Sequence, residues 1–294
     1  MGFLVEKFSN YNKKMKTNKN TNNKKDPELL KQIQQLCLMD DTFMTIFFDG
    51  QNDLMEFVLK IILNTQDLKV LQTKTQIDIH SIAGRSARLD VVATDSKGKH
   101  YNFEVQNADD GAVPKRARFN SSMLDSTLLK KNAKYSDLPE TYVIFFTKND
   151  VLKGNLPIYN IERIISQNQQ IFGDGTHIIY VNGAYKSQNA LGKLVQDFHC
   201  RDPKKMNYNE LAERSNYLKY LKGATKMGDS FEKFVQKRIK EAIKENNAET
   251  KRNFAINLLK ITELSESVIA ASADLSLSEV KKLSKKIRKT KIAN

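Results

Sequence analysis

Asp90 and Glu104 are the residues of this 294-residue chain whose types and spacing best suit chemistry. They flank Asp95-Ser96-Lys97-Gly98, and the arms on either side, Arg88 to Thr94 and His100 to Gln106, are rich in β-branched and aromatic side chains. Such a stretch suits a hairpin with a three-residue loop whose last member, Gly98, is left-handed. That register pairs Asp95 with Lys99 and, carried outward, sets Asp90 directly across from Glu104. Directly opposed residues of an antiparallel pair project to one face, with β-carbons roughly 5 Å apart. Gln106 lands on the same face. Two carboxylates so placed repel each other unless a cation joins them, which is the geometry of a metal site with hard oxygen donors. The plainer alternative is the exposed polar face of an ordinary hairpin. Leu89, Val91, Ala93, Tyr101, Phe103 and Val105 fall on the opposite face, and their burial would hold the register against a one-residue slip.

The elements that must position this hairpin are legible on both sides of it. Asp26 as N-cap and Pro27 as first helical residue open a helix with Leu29, Leu30, Ile33 and Leu36 on one stripe. A second helix is expected from about Asp53 to Leu63, and Val70 to Ile79 reads as a strand. From Val113 to Ala133 the pattern is helical, and Leu138-Pro139 ends it before an apolar strand, Tyr142 to Thr147. His177 to Val181 suits a further strand. After Leu191 the chain reads as helical to its end, with pieces at 191–199, 209–222, 229–245 and 248–261. Ser265 to Ala271 and Ser278 to Ile287, separated by a tight polar turn and with Ser278 as the second cap, suit either a helix-turn-helix or a simple helical pair.

Composition points to a polyanion as partner. The net charge is +14 and the pI near 9.5. Lys13, Lys14, Lys16, Lys19, Lys24 and Lys25 are mixed with asparagines in a tract too polar to bury a core, so residues 1–25 read as a flexible basic arm. Lys281, Lys282, Lys285, Lys286, Arg288, Lys289 and Lys291 crowd the last predicted helix. Such runs bind phosphates through counterion release, with salt-sensitive and sequence-blind affinity; a helix end favoured by its own dipole accounts for the C-terminal run equally well. Acidic membrane or RNA would satisfy the same charge. No apolar run approaches the roughly 20 residues needed to span a bilayer, and the N-terminus lacks the features of a secretory signal, so a cytoplasmic protein is expected. Cys37 and Cys200 are too few for a disulfide framework or zinc cluster and suit apolar positions, with His199 beside Cys200 leaving a metal role as the alternative.

The blocks Met39-Asp40-Asp41-Thr42-Phe43-Met44, Gly84 to Asp90, Tyr101-Asn102-Phe103-Glu104-Val105-Gln106, Lys115 to Ser122, Leu138 to Thr147 and His177 to Gly183 follow one another in order. Their sequence resembles the PD-(D/E)XK nuclease family transposases, kin to bacterial recombination-promoting nucleases, over roughly residues 36 to 225. The resemblance implies an α/β fold: a restriction-endonuclease-like core with a mixed central sheet flanked by helices, here at 26–205. An α-helical region, 206–294, follows, with a possible helix-turn-helix at 263–289. It implies that Asp90, Glu104 and the Val105 carbonyl bind Mg²⁺, with Mn²⁺ as substitute and no small-molecule cofactor. Gln106 stands where the family signature usually has lysine, so it can orient a water but brings no positive charge. Asp41, with Asp40 as competing choice, resembles a supporting acid of the family. Arg116 and Arg118, two apart on a helix, must point in different directions, so one is expected to reach the site or the DNA backbone and the other to be structural, with Lys115 as a third candidate. The implied activity is that of a DNA endonuclease with little sequence preference, working as a monomer or homodimer away from membranes. A nucleic-acid-binding protein that has lost the chemistry, and an interaction module of a defence or toxin system, remain the alternatives. His80, His100 and His177 are assigned no catalytic role.

Overall fold

The computed structural model describes residues 27–79, 86–220, 251–256, 258–259 and 265–292. These fall into two compact units, 27–220 and 251–292. The basic arm with Lys13, Lys14 and Lys16, as well as His80, Gly84, Arg85 and the helix expected at 229–245, lie outside the described residues.

In the first unit, three helices, α1 (Pro27–Gln34), α2 (Asp41–Phe48) and α3 (Asn52–Ile62), precede the strands β1 (Val70–Ile79), β2 (Ala87–Asp95) and β3 (His100–Gln106). Helix α4 (Pro114–Leu128) crosses to β4 (Thr141–Thr147), and β5 (Ile158–Ile161), β6 (Thr176–Asn182), α5 (Ala190–His199) and α6 (Asn209–Tyr220) follow. The strands form one mixed sheet in the order β1-β2-β3-β4-β6-β5. The β1, β2 and β3 pairs are antiparallel, β3, β4 and β6 run parallel, and β5 returns antiparallel to β6. This is the α/β architecture that the resemblance implies. Several details differ from expectation. Leu36, expected on the first helix, follows its end at Gln34, and Leu89, expected on the face away from the acids, packs under α4. Helix α4 stops five residues before Ala133, where Asn132 turns left-handed at φ +69°. The short edge strand β5 lacks the alternation that marks a strand and went unpredicted.

Each face of the sheet has its own cover. On one, Phe103 and Phe146 meet Phe48 of α2 and Phe198 of α5, with Phe146 stacked on Phe198 at 4.1 Å. These parallel-strand residues read as a continuous apolar run because both faces are covered. On the other, α4 lays Ala117 against Phe145 and Tyr180, and lays Phe119, Met123, Leu124 and Leu128 over Leu89. Between those two contact stripes Arg116 reaches Glu104 and Gln106 of β3, and Asn120, one helical turn on, is buried. Helix α6 is tied to this unit from beneath. Its Lys219, 1% exposed, donates to the carbonyls of Gln34 at 3.3 Å, Arg201 at 2.6 Å and Leu36, and Arg214 reaches the Phe47 carbonyl.

In the second unit, α7 (Glu266–Ala273) and α8 (Leu277–Ile292) pack with the helical residues 251–256 and 258–259 through Ala255, Ile269, Ala270, Ala273 and Val280. Asp274, left-handed at φ +49°, makes the turn that glycine usually makes. The cap of α8 is Ser276 rather than the expected Ser278. Ser276 Oγ accepts the Glu279 N–H, and the Glu279 carboxylate accepts the Ser276 N–H in return. That reciprocal pair is a capping box, and it starts the helix before Ser278.

Candidate active site

The hairpin turn sets the geometry from its tip. Asp95 Oδ1 accepts the backbone N–H groups of Lys97 (2.9 Å) and Lys99 (2.8 Å), and its Oδ2 accepts the Tyr101 hydroxyl (2.9 Å). Gly98 sits at φ +76°, as the three-residue loop requires. From Thr94–His100 the ladder runs to Val91–Phe103, so one further step brings Asp90 and Glu104 opposite each other. There the regular ladder stops. Glu104 Oε1 instead accepts the Asp90 backbone N–H at 3.2 Å. On the other side of Asp90, Thr75 and Ile77 pair with Val91 and Leu89, while Gln76 between them is left-handed at φ +55°. Its amide turns away to donate to Thr45 on α2. A side chain of this kind at positive φ is sparsely populated and persists where the surroundings enforce it, so the backbone opposite Asp90 is locally strained while the β1–β2 register continues on either side.

The two carboxylates are enclosed rather than set on an exposed hairpin face: Glu104 is 0% and Asp90 8% exposed. Burial shifts both towards their protonated forms, Asp90 strongly, and at Asp90 the neighbouring Glu104 and Asp41 charges push further the same way. The Arg116 charge opposes this at both groups, and the Val105 backbone N–H favours the charged form of Asp90. Oxygen donors crowded in this way suit a hard divalent cation, which one or two carboxylates and retained waters can hold. Among the described residues no cluster of three or more His, Cys, Asp or Glu side chains forms a ready-made metal cage.

Arg116 binds the site together. Its Nη2 donates to Glu104 Oε2 and its Nη1 to Gln106 Oε1, both at 3.1 Å, and Nη1 also donates to the Gly111 carbonyl at 2.8 Å. Arg118 points elsewhere, beside Leu152 and Tyr180. Of the two adjacent acids, Asp41 bears on the pair electrostatically, whereas Asp40 accepts the Cys37 N–H at 2.7 Å. Asn107 ties the start of α2 to the end of β3 by donating to the Met39 carbonyl.

Three contributors escape a reading of the sequence: Gln76; Asn102, fully buried beside Glu104 and favouring its charge; and Gly111. A β-carbon on Gly111 would come within 2.2 Å of Gln106 Oε1. The signal for Asn102 was available, since it lies two residues before Glu104 on the same strand face. The histidines stay apart from the pair: His100 meets the Thr94 hydroxyl, His177 lies between Glu140 and Glu162, and His199 meets the Gly183 carbonyl. Cys37 is a buried free thiol pushed up to about 11 by burial and by Asp40, while Cys200 is free and half-buried. Lys281 and Lys282 are exposed on α8 in the second unit; the side chains of Lys285, Lys286 and Arg288 lie outside the described residues. No helix among the described residues is long and apolar enough to cross a membrane.

No curated protein and no solved structure gives a significant match to this sequence. The family described as PD-(D/E)XK nuclease family transposase matches residues 37–253, which takes in the whole sheet, the acid pair and most of the chain. An acid pair held across an opened β2–β3 hairpin is therefore found in a chain that belongs to the PD-(D/E)XK nuclease family transposases.

Proposed function

We propose that the chain is a Mg²⁺-dependent DNA endonuclease of the transposase-associated type, hydrolysing phosphodiester bonds with little sequence preference. The observation that carries this reading is the enclosed Asp90–Glu104 pair with Gln106 on the same face and Arg116 bridging to it. Asp90, Glu104 and the Val105 carbonyl would hold Mg²⁺, or Mn²⁺ in its place. When bound, the cation supplies Lewis acidity, making a water more acidic and steadying charge on the phosphate. Asp41 adds negative charge to the same end of the site, which strengthens its attraction for a cation. Gln106 orients the attacking water through its amide. The positive charge that a lysine at 106 would bring comes instead from α4, because the Arg116 guanidinium is already bonded to the Gln106 oxygen. Lys13, Lys14 and Lys16 and the C-terminal run of Lys281, Lys282, Lys285, Lys286 and Arg288 hold the DNA backbone through sequence-blind charge. Cutting both strands of a duplex calls for two sites, so the proposal includes a homodimer, acting in the cytoplasm.

One observation favours a second reading, a DNA-binding protein without the chemistry: Arg116 already neutralises part of Glu104, and Gln106 is uncharged. Nicking of supercoiled plasmid in Mg²⁺, Mn²⁺ or EDTA separates the two. Metal-dependent nicking supports the nuclease; binding with no nicking under either metal leaves only the second reading.

Two substitutions test the Gln106–Arg116 unit in that assay. Gln106→Lys would set an ammonium against the Arg116 guanidinium, and like charges at this distance repel. It is expected to lower the nicking rate rather than raise it, and a faster variant would refute the division of labour between the two residues. Gly111→Ala drives a methyl into the Gln106 amide and forces that flexible group aside. The expected result is a rate loss of about 10–100-fold, the usual range for disturbing an outer-shell partner, with a melting temperature within about two degrees of wild type. An unchanged rate would mean that the Gln106 position is unimportant.

A further inference from the structure

The acid pair belongs to a row of side chains that continues across the sheet. Glu104 pairs in register with Phe145, and Phe145 with Tyr180, so all three project to the face under α4. Two strand spacings, about 10 Å, separate Glu104 from Tyr180. The Arg116 guanidinium lies 5.9 Å from the centre of the Phe145 ring, and Phe145 stacks on Tyr180 with centroids 5.4 Å apart and planes 17° from parallel. Beside Tyr180 a cavity of about 340 Å³ opens between α4 and the outer strands. Ala117, Leu152 and Ile178 wall it; Glu162, bonded to His177, and Arg163, paired with Asp174, also line it, and the exposed Arg118, which makes no ion pair among the described residues, stands beside them.

Tyr180 is 3% exposed, and its enclosed hydroxyl has no hydrogen-bond partner. The other tyrosines of the sheet are satisfied: Tyr101 by Asp95, Tyr142 by Glu140 and Tyr159 by Asp150. An unpaired buried hydroxyl is costly, and natural structures keep few of them. Tyr180 lines the cavity, so a small shift of its side chain would present the hydroxyl to an incoming group that makes the missing bond.

We infer that this cavity receives one unstacked nucleobase of the strand whose phosphate lies at Asp90 and Glu104. The inference rests on the nuclease reading above and deepens it. Tyr180 is the aromatic residue of the lining, and Ala117, Leu152 and Ile178 give the cavity the apolar walls that the ring of a base can pack against. The volume is at the lower end of the roughly 300–1,000 Å³ of small-molecule pockets, which suits one ring system rather than a chain. The exposed Arg118 matches the backbone phosphate of the same nucleotide. Because drawing a base from a paired stack costs energy, such a pocket favours single-stranded, bulged or otherwise distorted DNA over intact duplex.

The test uses the full chain in EDTA, so that binding is read without cleavage, and two duplexes that differ at one bulged position: 2-aminopurine or an abasic residue. Wild type is expected to bind the bulged-base duplex about tenfold more tightly, with the 2-aminopurine fluorescence changing on binding. Tyr180→Phe, which removes the hydroxyl, and Leu152→Trp, which fills the cavity, are expected to lose that preference. Tyr180→Phe should melt no lower than wild type, since it deletes an unsatisfied group. Equal affinity of wild type for the two duplexes, or a full preference surviving in Tyr180→Phe, overturns the pocket while plasmid nicking still stands. Failure of wild type to bind either duplex or to nick plasmid overturns the pocket together with the nuclease reading.

Discussion

Glu104→Gln and Asp90→Asn are each expected to abolish metal-dependent nicking of supercoiled plasmid, with rates at least about a hundredfold below wild type. The reasoning is electrostatic. The two carboxylates are enclosed, and burial already disfavours their charged forms. A cation drawn to the site is held by the charge they supply together, and an amide in place of either halves that charge while leaving a weaker oxygen donor. Losing an outer-shell partner costs 10–100-fold as a rule, and a direct ligand should exceed that. The amide variants are chosen over alanine for a structural reason. Glu104 Oε1 accepts the Asp90 N–H, so a glutamine oxygen can preserve the opened hairpin where alanine would leave a buried N–H unpaired. A full nicking rate in either variant, at unchanged melting temperature, would remove that residue from the metal site.

The register of the hairpin was legible because local chemistry sets it. Asp95 and Gly98 make a loop of one length, and alternation carries the pairing as far as Val91 and Phe103; beyond it Leu89, expected beside Val91, packs under α4, so the last step to Asp90 and Glu104 depends on contacts the sequence does not show. The cover over the acid pair was not legible. Arg116 and Arg118 are equivalent in the sequence, and which of them meets Glu104 depends on the rotation of α4. That rotation is set by long-range packing of Phe119, Met123 and Leu124 over Leu89 and of Ala117 against Phe145. The same holds for Asp40 and Asp41, separated only once Asn107 fixes the start of α2. Gln76 gave no warning, because nothing about glutamine favours a left-handed turn in mid-strand; tertiary contacts impose it. In the second unit the capping rule was right and its position wrong. Ser276 and Ser278 both suit a cap, and the reciprocal bond with Glu279 selects the former.

Arg116→Ala should be the most informative single change, because it separates the electrostatics of the resting site from its chemistry. In EDTA the variant leaves Glu104 buried with its positive partner gone, and Asp90 and Asp41 still bearing on it. Breaking a fully buried ion pair costs about 3–5 kcal/mol, and an exposed pair is worth no more than about 1 kcal/mol. Here the Glu104 side chain is 0% and the Arg116 side chain 37% exposed, so a loss of about 1–3 kcal/mol in denaturant melts is expected. Added Mg²⁺ or Mn²⁺ should recover much of that loss, since a cation at the acid pair replaces the missing charge; the variant should therefore gain more from metal than wild type does. Lysine at 116 keeps the charge but cannot reach Glu104, Gln106 and the Gly111 carbonyl together as the guanidinium fork does, so it should restore stability in part and nicking poorly. The double variant with Glu104→Gln completes a cycle in which the two losses fall short of adding. Additive losses, or a metal response equal to that of wild type, would show that Arg116 packs α4 onto Phe145 and does not stand in for a cation.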